Sequence, residues 1–192
     1  MIVAPNWLGD AVMALPAIAD VRSARRNASL AVAARPSVAP LFALVPGVDE
    51  VIAIPRRGAA PLAGYDTAIL LPNSFHSAMS VARAGVRESW GYRTDWRGLL
   101  LTRAVDRAPA GVHQIDCYQR LVASLGFANG SSTPRLEIPA AARDAGTALL
   151  REAGWDGRTP RVPLRTSAIA GSAITASPSQ FGATITRRST MV

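Results

Sequence analysis

Short apolar segments recur along the first half of the chain, and their lengths are typical of β-strands. These predicted strands are Ile2–Pro5, Leu30–Ala34, Val51–Ile54, Thr67–Leu71 and Glu88–Tyr92. The segment Thr67–Leu71 is almost wholly apolar, which is typical of a strand whose two faces are both buried. The pattern therefore indicates a sheet that is buried on both faces rather than a sheet with one face exposed to water.

Longer segments between these strands place apolar residues at helical spacing. The predicted helices are Asp10–Arg26, Pro36–Leu44, Ser74–Ala84, His113–Leu125 and Ala140–Ala153. Pro16 lies inside the first of them, so we expect either a kink there or a helix that begins nearer Ala14. Strands that alternate with helices predict the α/β class, with a parallel sheet and helices on both of its faces.

The end of the chain departs from this pattern. From Thr159 to Val192 there are 11 Ser and Thr among 34 residues, no Asp or Glu, and no sustained apolar period. We therefore predict one domain over residues 1–156 and a Ser/Thr/Arg-rich tail over residues 157–192, irregular in structure. A frameshift or a truncated gene would produce such a tail, and peptides that span Arg165–Arg187 would argue against that origin.

The net charge of +8 first suggests a nucleic-acid-binding protein, but its distribution weakens that interpretation. Residues 1–156 hold 16 Arg against 13 acidic residues, whereas the tail holds 5 Arg and no acid. The apolar strand Ile2–Pro5 follows Met1 with no basic leader, and no apolar run reaches the roughly 18 residues of a membrane helix. With the single cysteine Cys117, these features lead us to expect a cytoplasmic protein.

The turn after the first strand places an acid where α/β proteins bind ligands. Ligands in open parallel sheets sit at the carboxyl ends of the strands, and Asp10 follows the first strand closely. The dinucleotide fingerprint is missing here, and a carboxylate would repel a pyrophosphate. Asp10 is therefore a candidate general base toward a hydroxyl, with a simple helix N-cap as the alternative. Asn6, Trp7 and Gly9 share this turn and are candidate substrate contacts.

The fourth predicted strand ends in a second polar group at the same edge. Asn73 and Ser74 are suited to bind sugar hydroxyls, and the alternative for Ser74 is to cap the helix that follows. His76 is a weaker candidate acid, because a single histidine near a helix start is more often a surface residue.

Arginines in two loops are candidates for binding an anion. Arg93 and Arg97 lie in an aromatic-rich loop, and a guanidinium suits bidentate binding of phosphate or carboxylate. The alternative is a solvated loop with an Arg–Asp ion pair. Arg56 and Arg57 are weaker candidates for the same role. His113 and Cys117, four positions apart on a helix, do not make a metal site by themselves.

Four segments together carry a family resemblance. In chain order they read IVAPNWLGDAVMALP, LPNSFHSA, WGYRTDWRGLLLT and HQIDCYQRLVASLG. The ordered set, from about Met1 to Trp155, resembles the bacterial lipopolysaccharide heptosyltransferases of glycosyltransferase family 9, and their heptosyltransferase II branch most closely.

The resemblance implies the GT-B architecture, with two Rossmann-like domains and the active site in the cleft between them. It implies that the N-terminal domain binds the inner-core acceptor of lipopolysaccharide and that the C-terminal domain binds ADP-heptose. Transfer would invert the anomeric centre, with Asp10 as the base and with neither a metal nor a cofactor. Arg93 and Arg97 would suit a phosphorylated acceptor. The implied location is the cytoplasm, with peripheral contact at the inner membrane face.

One departure from the family concerns the donor domain. The Gly-, Lys- and Trp-containing segment that opens this domain in the family has no counterpart here, and the chain contains no Lys. We therefore expect an acceptor-side half without a donor-binding domain and with little activity alone. A Rossmann-type oxidoreductase and a basic nucleic-acid-binding domain are the alternatives. Failure to bind NAD would argue against the first, and loss of binding after deletion of residues 157–192 would argue against the second.

Overall fold

A computed structural model describes residues 1–55, 61–94 and 96–158 of the chain. The predicted tail from residue 159 onward, the candidate residues Arg56 and Arg57, and Asp95 lie outside the described residues. The predicted tail therefore stays a prediction.

The described chain forms one six-stranded sheet in which every pairing is parallel. Its strands lie in the order β3-β2-β1-β4-β5-β6. The strands are β1 (Ile2–Val3), β2 (Ala31–Ala34), β3 (Glu50–Ala53), β4 (Thr67–Leu70), β5 (Glu88–Tyr92) and β6 (Arg103–Val105). The chain order reverses on the two sides of β1, which is where open parallel sheets have a crevice for ligands.

Within the described residues, five α-helices and one 3₁₀ turn connect the strands or follow them. They are α1 (Leu8–Ala24), α2 (Ala39–Phe42), α3 (Phe75–Arg83), the 3₁₀ turn Arg97–Leu100, α4 (Gln114–Ser124) and α5 (Ala140–Glu152). In the part of the chain that the structure describes, no helix is both long enough and apolar enough to cross a bilayer.

Two hydrophobic clusters cover the two faces of the sheet, because neighbouring residues of a strand point to opposite sides. Ile2 and Ile69 belong to the cluster beneath α1 and α4, whereas Val3 and Leu70 belong to the cluster beneath α3. The predicted α/β class, with a parallel sheet and helices on both faces, is confirmed.

Helix α1 corrects two predictions about its start. It begins at Leu8 and continues through Pro16, so the predicted start near Ala14 is wrong. Proline removes only one helical hydrogen bond, and here its ring is buried in the core. The N-cap is Trp7, which makes no side-chain capping bond, so the N-cap interpretation of Asp10 is also wrong. Asp10 lies in the first turn of the helix instead.

The connections around the sheet differ more from the predictions than the strands do. Helix α2 spans only Ala39–Phe42, shorter than the predicted Pro36–Leu44, and strand β6 (Arg103–Val105) was not predicted at all. A strand of three residues that begins with arginine carries almost no periodic pattern. Its pairing with β5 supplies the hydrogen bonds that define it.

The chain divides into two compact units, Met1–Glu137 and Ile138–Val192. The first unit holds the whole sheet, α1 to α4 and both hydrophobic clusters. In the described part of the second unit, helix α5 buries none of its residues. The predicted domain ends at residue 156, whereas the first compact unit ends at Glu137 and α5 belongs to the second unit. The predicted domain limit stays a prediction.

Candidate functional site at the carboxyl edge of the sheet

The carboxyl ends of β1, β4 and β5 meet at one edge, because these strands are parallel neighbours. The loop after β5 is tied to the loop after β4 by the Thr94 hydroxyl, which donates to the Asn73 carbonyl oxygen at 2.8 Å. The first turn of α1, with Asp10, follows β1 at this same edge. The sequence predicts that the turn of Asp10 and the loop of Asn73 lie at the same edge, and the topology adds the loop of Arg93 after β5 to them.

Asp10 is half-buried and lies near a tyrosine of the neighbouring helix α4. The pKa of Tyr118 is raised above its usual range, chiefly by burial and next by the negative charge of Asp10. The Gln114 side chain hydrogen bonds to the Tyr118 hydroxyl and opposes that increase. The carboxylate of Asp10 therefore lies within electrostatic reach of a buried hydroxyl group.

A cavity of about 340 Å³ opens at this edge, between the strand ends and the start of α4. Its polar lining comes from Asn73, Arg107, Gln114 and Tyr118, and the loop Ala108–Val112 forms another wall. Small-molecule sites have volumes of roughly 300–1,000 Å³, so this cavity is large enough for a small ligand.

Tyr92 lines the cavity and is held in place by α4. Its hydroxyl donates to the backbone carbonyl of Cys117 at 2.5 Å. Burial is the main cause that raises the pKa of Tyr92 to about 12, and the electrostatic effect of Cys117 is the second. Tyr92 therefore acts as a fixed wall of the cavity, because its hydroxyl proton is already used in this hydrogen bond.

Asn73 has an unusual environment for a polar side chain. Its Oδ1 atom is buried and accepts no hydrogen bond from any described residue.

Ser74 has a different role, because its hydroxyl accepts a bond from the Ser77 N–H at 3.3 Å and caps α3. His76 is exposed in the first turn of the same helix.

The other predicted contacts of the first turn are open to solvent. The Asn6 Oδ1 atom accepts a hydrogen bond from Arg35 Nε at 2.7 Å, and Trp7 is 77% exposed. A side chain at Gly9 would meet nothing within 4 Å, so this position leaves space above the helix start.

The two loop arginines occupy opposite environments. Arg97 is 0% exposed, and its guanidinium donates to the Pro72 carbonyl oxygen, so it holds the loop after β5 against the end of β4. Arg93 is exposed, with its Nε atom 3.9 Å from the Asp106 carboxylate. Exposed ion pairs at this distance are weak, so Arg93 is the loop arginine that a ligand can reach.

The pair His113 and Cys117 has a structural explanation. The His113 Nδ1 atom accepts a bond from the Ile115 N–H at 3.3 Å and caps α4, and the Cys117 thiol lies 3.5 Å from the Val112 carbonyl. Among residues 1–55, 61–94 and 96–158, no group of three or more His, Cys, Asp or Glu could hold a metal ion.

Sequence reasoning missed Arg107, Gln114 and Tyr118. The last two are four positions apart on a helix, and this spacing places them on one face. In the sequence, the signal for Gln114 and Tyr118 was a pair of polar side chains on the inner face of a predicted helix. Arg107 has no such signal, because only the fold of the loop after β6 brings it to the cavity.

A second cavity, of about 430 Å³, lies at the opposite edge of the sheet. Its walls include Met1, Arg25, Asp66 and Trp90, and none of the predicted site residues lines it. In open parallel sheets ligands bind at the carboxyl ends of strands, so the smaller cavity is the better candidate site.

No family model matches the chain. Among curated proteins it is 31% identical to lipopolysaccharide heptosyltransferase 2 of Escherichia coli (strain K12) over 111 residues, which is 51% of this chain and 31% of that protein. It is 29% identical to lipooligosaccharide heptosyltransferase 2 of Haemophilus influenzae over 113 residues, 53% of this chain and 33% of that protein. The match thus spans about a third of the length of these curated relatives.

Solved structures share the fold at lower identity. A family 9 glycosyl transferase from Veillonella parvula has a TM-score of 0.74 at 15% identity, over 88% of this chain and 53% of that one. The E. coli ADP-heptose lps heptosyltransferase II has a TM-score of 0.62 at 21% identity, over 83% and 52%. The E. coli heptosyltransferase WaaC, solved with ADP, has a TM-score of 0.60 at 22% identity, over 69% and 48%. These comparisons confirm the predicted resemblance and the fold.

Proposed function

We propose that this chain provides the acceptor side of a glycosyltransferase that transfers heptose from ADP-heptose to the inner core of lipopolysaccharide. The observation that carries the proposal is the Asp10 carboxylate, placed in the first turn of α1 beside the cavity at the carboxyl edge. The similarity to heptosyltransferases over half of the chain supports the same reaction class. The oxidoreductase and nucleic-acid alternatives receive no support from these relatives.

In the proposed reaction the Asp10 carboxylate removes the proton of an acceptor hydroxyl. The acceptor oxygen then bonds to the anomeric carbon of heptose as the bond from that carbon to the diphosphate oxygen breaks. ADP leaves with the electron pair, and attack from the opposite face inverts the anomeric centre. A well-placed base contributes about 10²–10⁴-fold to such a step, since a neutral hydroxyl is a poor nucleophile.

The residues of the first unit serve the acceptor in this proposal, and the donor nucleotide belongs to a second domain. No cofactor or metal takes part in the proposed mechanism. The acceptor is part of a membrane lipid, so the proposal includes peripheral contact of this edge with the cytoplasmic face of the inner membrane. The exposed indoles of Trp7 and Trp96 at the carboxyl edge support that contact, because tryptophan favours membrane interfaces.

The test of Asp10 uses a two-domain chimera. The N-terminal segment of E. coli lipopolysaccharide heptosyltransferase 2 is replaced by the matching residues of this chain, and heptose transfer to an inner-core oligosaccharide is followed by mass spectrometry. We expect Asp10→Asn to lower kcat about 10²–10⁴-fold with little change in acceptor KM.

The matched control is Asp66→Asn, an exposed acid at the other edge of the sheet, which should retain full turnover. Thermal unfolding of each chimera separates a catalytic loss from a folding failure. Unchanged turnover in a folded Asp10→Asn chimera would remove this residue from the mechanism and leave only the fold assigned.

A further inference from the structure

The cavity of about 430 Å³ lies at the amino edge of the sheet, and we call it the amino-edge cavity. It is bounded by the end of α1, the turn before β2, the loop before β4, and side chains of the sheet face that α1 and α4 cover. Arg25 at the end of α1 and Asp10 at its start are about 22 Å apart, from the rise of ~1.5 Å per helical residue. The amino-edge cavity is therefore separate from the proposed catalytic edge.

Apolar and aromatic side chains form the inner wall of this cavity. Trp90 and Phe127 stand with their ring centroids 6.3 Å apart and their planes tilted by 45°. Trp90 is only half-buried, and its ring borders the open space. The rest of the wall is aliphatic and comes from Ile2, Val21, Leu30 and Ile69. Such a wall favours a flat apolar group, because aromatic rings pack well in tilted and offset arrangements.

Two arginines stack on these rings and hold the wall in place. The Arg25 guanidinium carbon lies 5.4 Å from the Phe127 ring centroid, and that of Arg103 lies 5.5 Å from the Trp90 ring centroid. Arg103 also donates to the Leu125 carbonyl at 3.0 Å, which fixes it to the end of α4. Because these contacts restrict the side chains before a ligand arrives, less conformational freedom is lost on binding.

Arg25 is the cation that a ligand in this cavity can reach. Its exposed guanidinium donates to the Ala24 carbonyl at 3.2 Å and pairs with no carboxylate within the described residues, Asp66 of the same cavity included. Arg22 also lines the cavity, but four carbonyl oxygens and the Asp49 carboxylate already occupy its donors. An exposed guanidinium beside an apolar wall can pair with both oxygens of a carboxylate.

We infer that the amino-edge cavity is a second binding site, which takes a small aromatic monocarboxylate with its ring against Trp90 and its carboxylate on Arg25. The apolar wall selects the ring, and the guanidinium selects the negative charge. The volume of about 430 Å³ suits a ligand of one or two fused rings. The inference does not depend on heptose transfer, because Asp10 does not line this cavity.

The experiment titrates the ¹⁵N-labelled full chain with 2-naphthoate, a two-ring monocarboxylate. Each tryptophan indole N–H gives its own NMR signal, and Trp90→Phe, Trp7→Phe and Trp96→Phe identify the three that matter. We expect a saturable shift of the Trp90 signal with a Kd of about 0.1–1 mM, the usual range for a ligand of this size. The signals of the exposed Trp7 and Trp96 should not move.

Arg25→Gln removes the charge that the carboxylate needs. We expect it to weaken binding of 2-naphthoate about tenfold, the size of one charge-assisted hydrogen bond. Arg26→Gln is the matched control, because Arg26 is the next residue, is also exposed and does not line the cavity. Its Kd should equal that of the unaltered chain, and thermal unfolding checks that both variants are folded.

The neutral ligand 2-naphthamide separates the ring from the charge. It has the shape of 2-naphthoate without the negative charge, so the unaltered chain should bind it about tenfold more weakly than the acid. Arg25→Gln should bind the amide as well as the unaltered chain does, because the variant and the amide remove the same interaction.

A second pair of variants changes the charge of the rim without altering Arg25. Ser29 is exposed and lines the cavity, so Ser29→Glu adds a negative charge that repels the acid, and Ser29→Gln adds a similar volume without charge. We expect Ser29→Glu to bind 2-naphthoate about threefold or more weakly than Ser29→Gln does. The two variants should bind 2-naphthamide equally.

The outcomes distinguish this site from nonspecific association. A Trp90 signal that stays in place up to about 10 mM 2-naphthoate overturns the site. Equal shifts of the Trp7, Trp90 and Trp96 signals also overturn it, because they indicate adsorption to exposed rings. Equal affinities for the acid and the amide, or equal affinities of Arg25→Gln and the unaltered chain for the acid, overturn the aromatic carboxylate as the ligand.

Discussion

Arg97 and Arg93 belong to one loop, yet the structure gives them different roles. Their chemistry is identical, and the sequence predicts both as anion contacts. Arg97 instead lies beneath the loop, where its guanidinium reaches the Pro72 carbonyl and approaches the backbone of Gly91. A Cβ atom at Gly91 would collide with the Arg97 Nη2 atom and would stand 3.2 Å from the Leu70 carbonyl oxygen. Glycine at this position therefore makes room for the buried arginine.

We predict that Gly91→Ala destabilises the protein by about 1–3 kcal/mol, the usual cost of overpacking a rigid site. Urea unfolding followed by circular dichroism measures this change. Gly9→Ala is the control, since a Cβ there meets nothing within 4 Å and alanine favours a helix. Equal stability of Gly91→Ala and the unaltered chain would contradict the tight placement of Arg97.

At the scale of elements, the end of α1 is fastened by one arginine. The Arg22 guanidinium donates to the carbonyl oxygens of Arg25, Arg26, Ala28 and Gly47. It also pairs with the Asp49 carboxylate, which accepts the Leu30 N–H at 2.7 Å. These bonds join the end of α1 and the turn after it to the loop before β3.

The same cluster predicts a pH dependence. The Leu30 N–H first, and then Arg22, hold the pKa of Asp49 below its ordinary value of 3.8. A lowered folded-state pKa stabilises the protein above the ordinary value, and this contribution is lost as the pH falls below it. We expect Asp49→Asn to lower the unfolding temperature at pH 7, and we expect its difference from the unaltered chain to shrink below about pH 4.

Thermal unfolding between pH 7 and pH 3 tests this dependence. Asp106→Asn is the matched control, because Asp106 is exposed and its partner Arg93 stands 3.9 Å away. That variant should unfold like the unaltered chain at every pH. A difference between Asp49→Asn and the unaltered chain that stays constant down to pH 3 would mean that the Asp49 carboxylate contributes no charge-dependent stability.

At the scale of the whole molecule, large apolar side chains are exposed around the carboxyl edge. Trp7 precedes α1, Phe75 begins α3, and Trp96 and Leu99 follow β5. Trp96 is 85% exposed and has a φ angle of 59°, a left-handed conformation that is uncommon for a bulky residue. Exposed aromatic groups at the edge that holds the site suit a surface that meets a membrane lipid.

We predict that the double variant Trp7→Ser/Trp96→Ser lowers binding to vesicles that contain anionic lipid by about tenfold, as measured by sedimentation. Leu149→Ser is the control, since it removes an apolar side chain of α5 that is also exposed. Equal binding of all variants would mean that the positive charge of the chain, rather than its indoles, drives the association.

Most of the sheet could be predicted because strands buried on both faces need unbroken apolar segments, as in β2 and β4. Strand β6 (Arg103–Val105) could not, since three residues show no period and their pairing depends on β5. For the site, the turn of Asp10 and the loop of Asn73 were predictable from their places after β1 and β4. Tyr118 and Gln114 were not, because a helix pattern does not reveal which neighbour its inner face meets.

The amino-acid sequence alone determined the class of the fold and the family resemblance over residues 1–155. It also indicated the edge of the sheet at which the candidate site residues lie. Those properties follow from local apolar periods and from the rule that parallel strands end together. Only the tertiary structure decided which polar groups are reachable. Burial is set by the chain that folds over a residue, so Arg97 lies inside the protein while Arg107 and the unpaired Asn73 oxygen line a cavity.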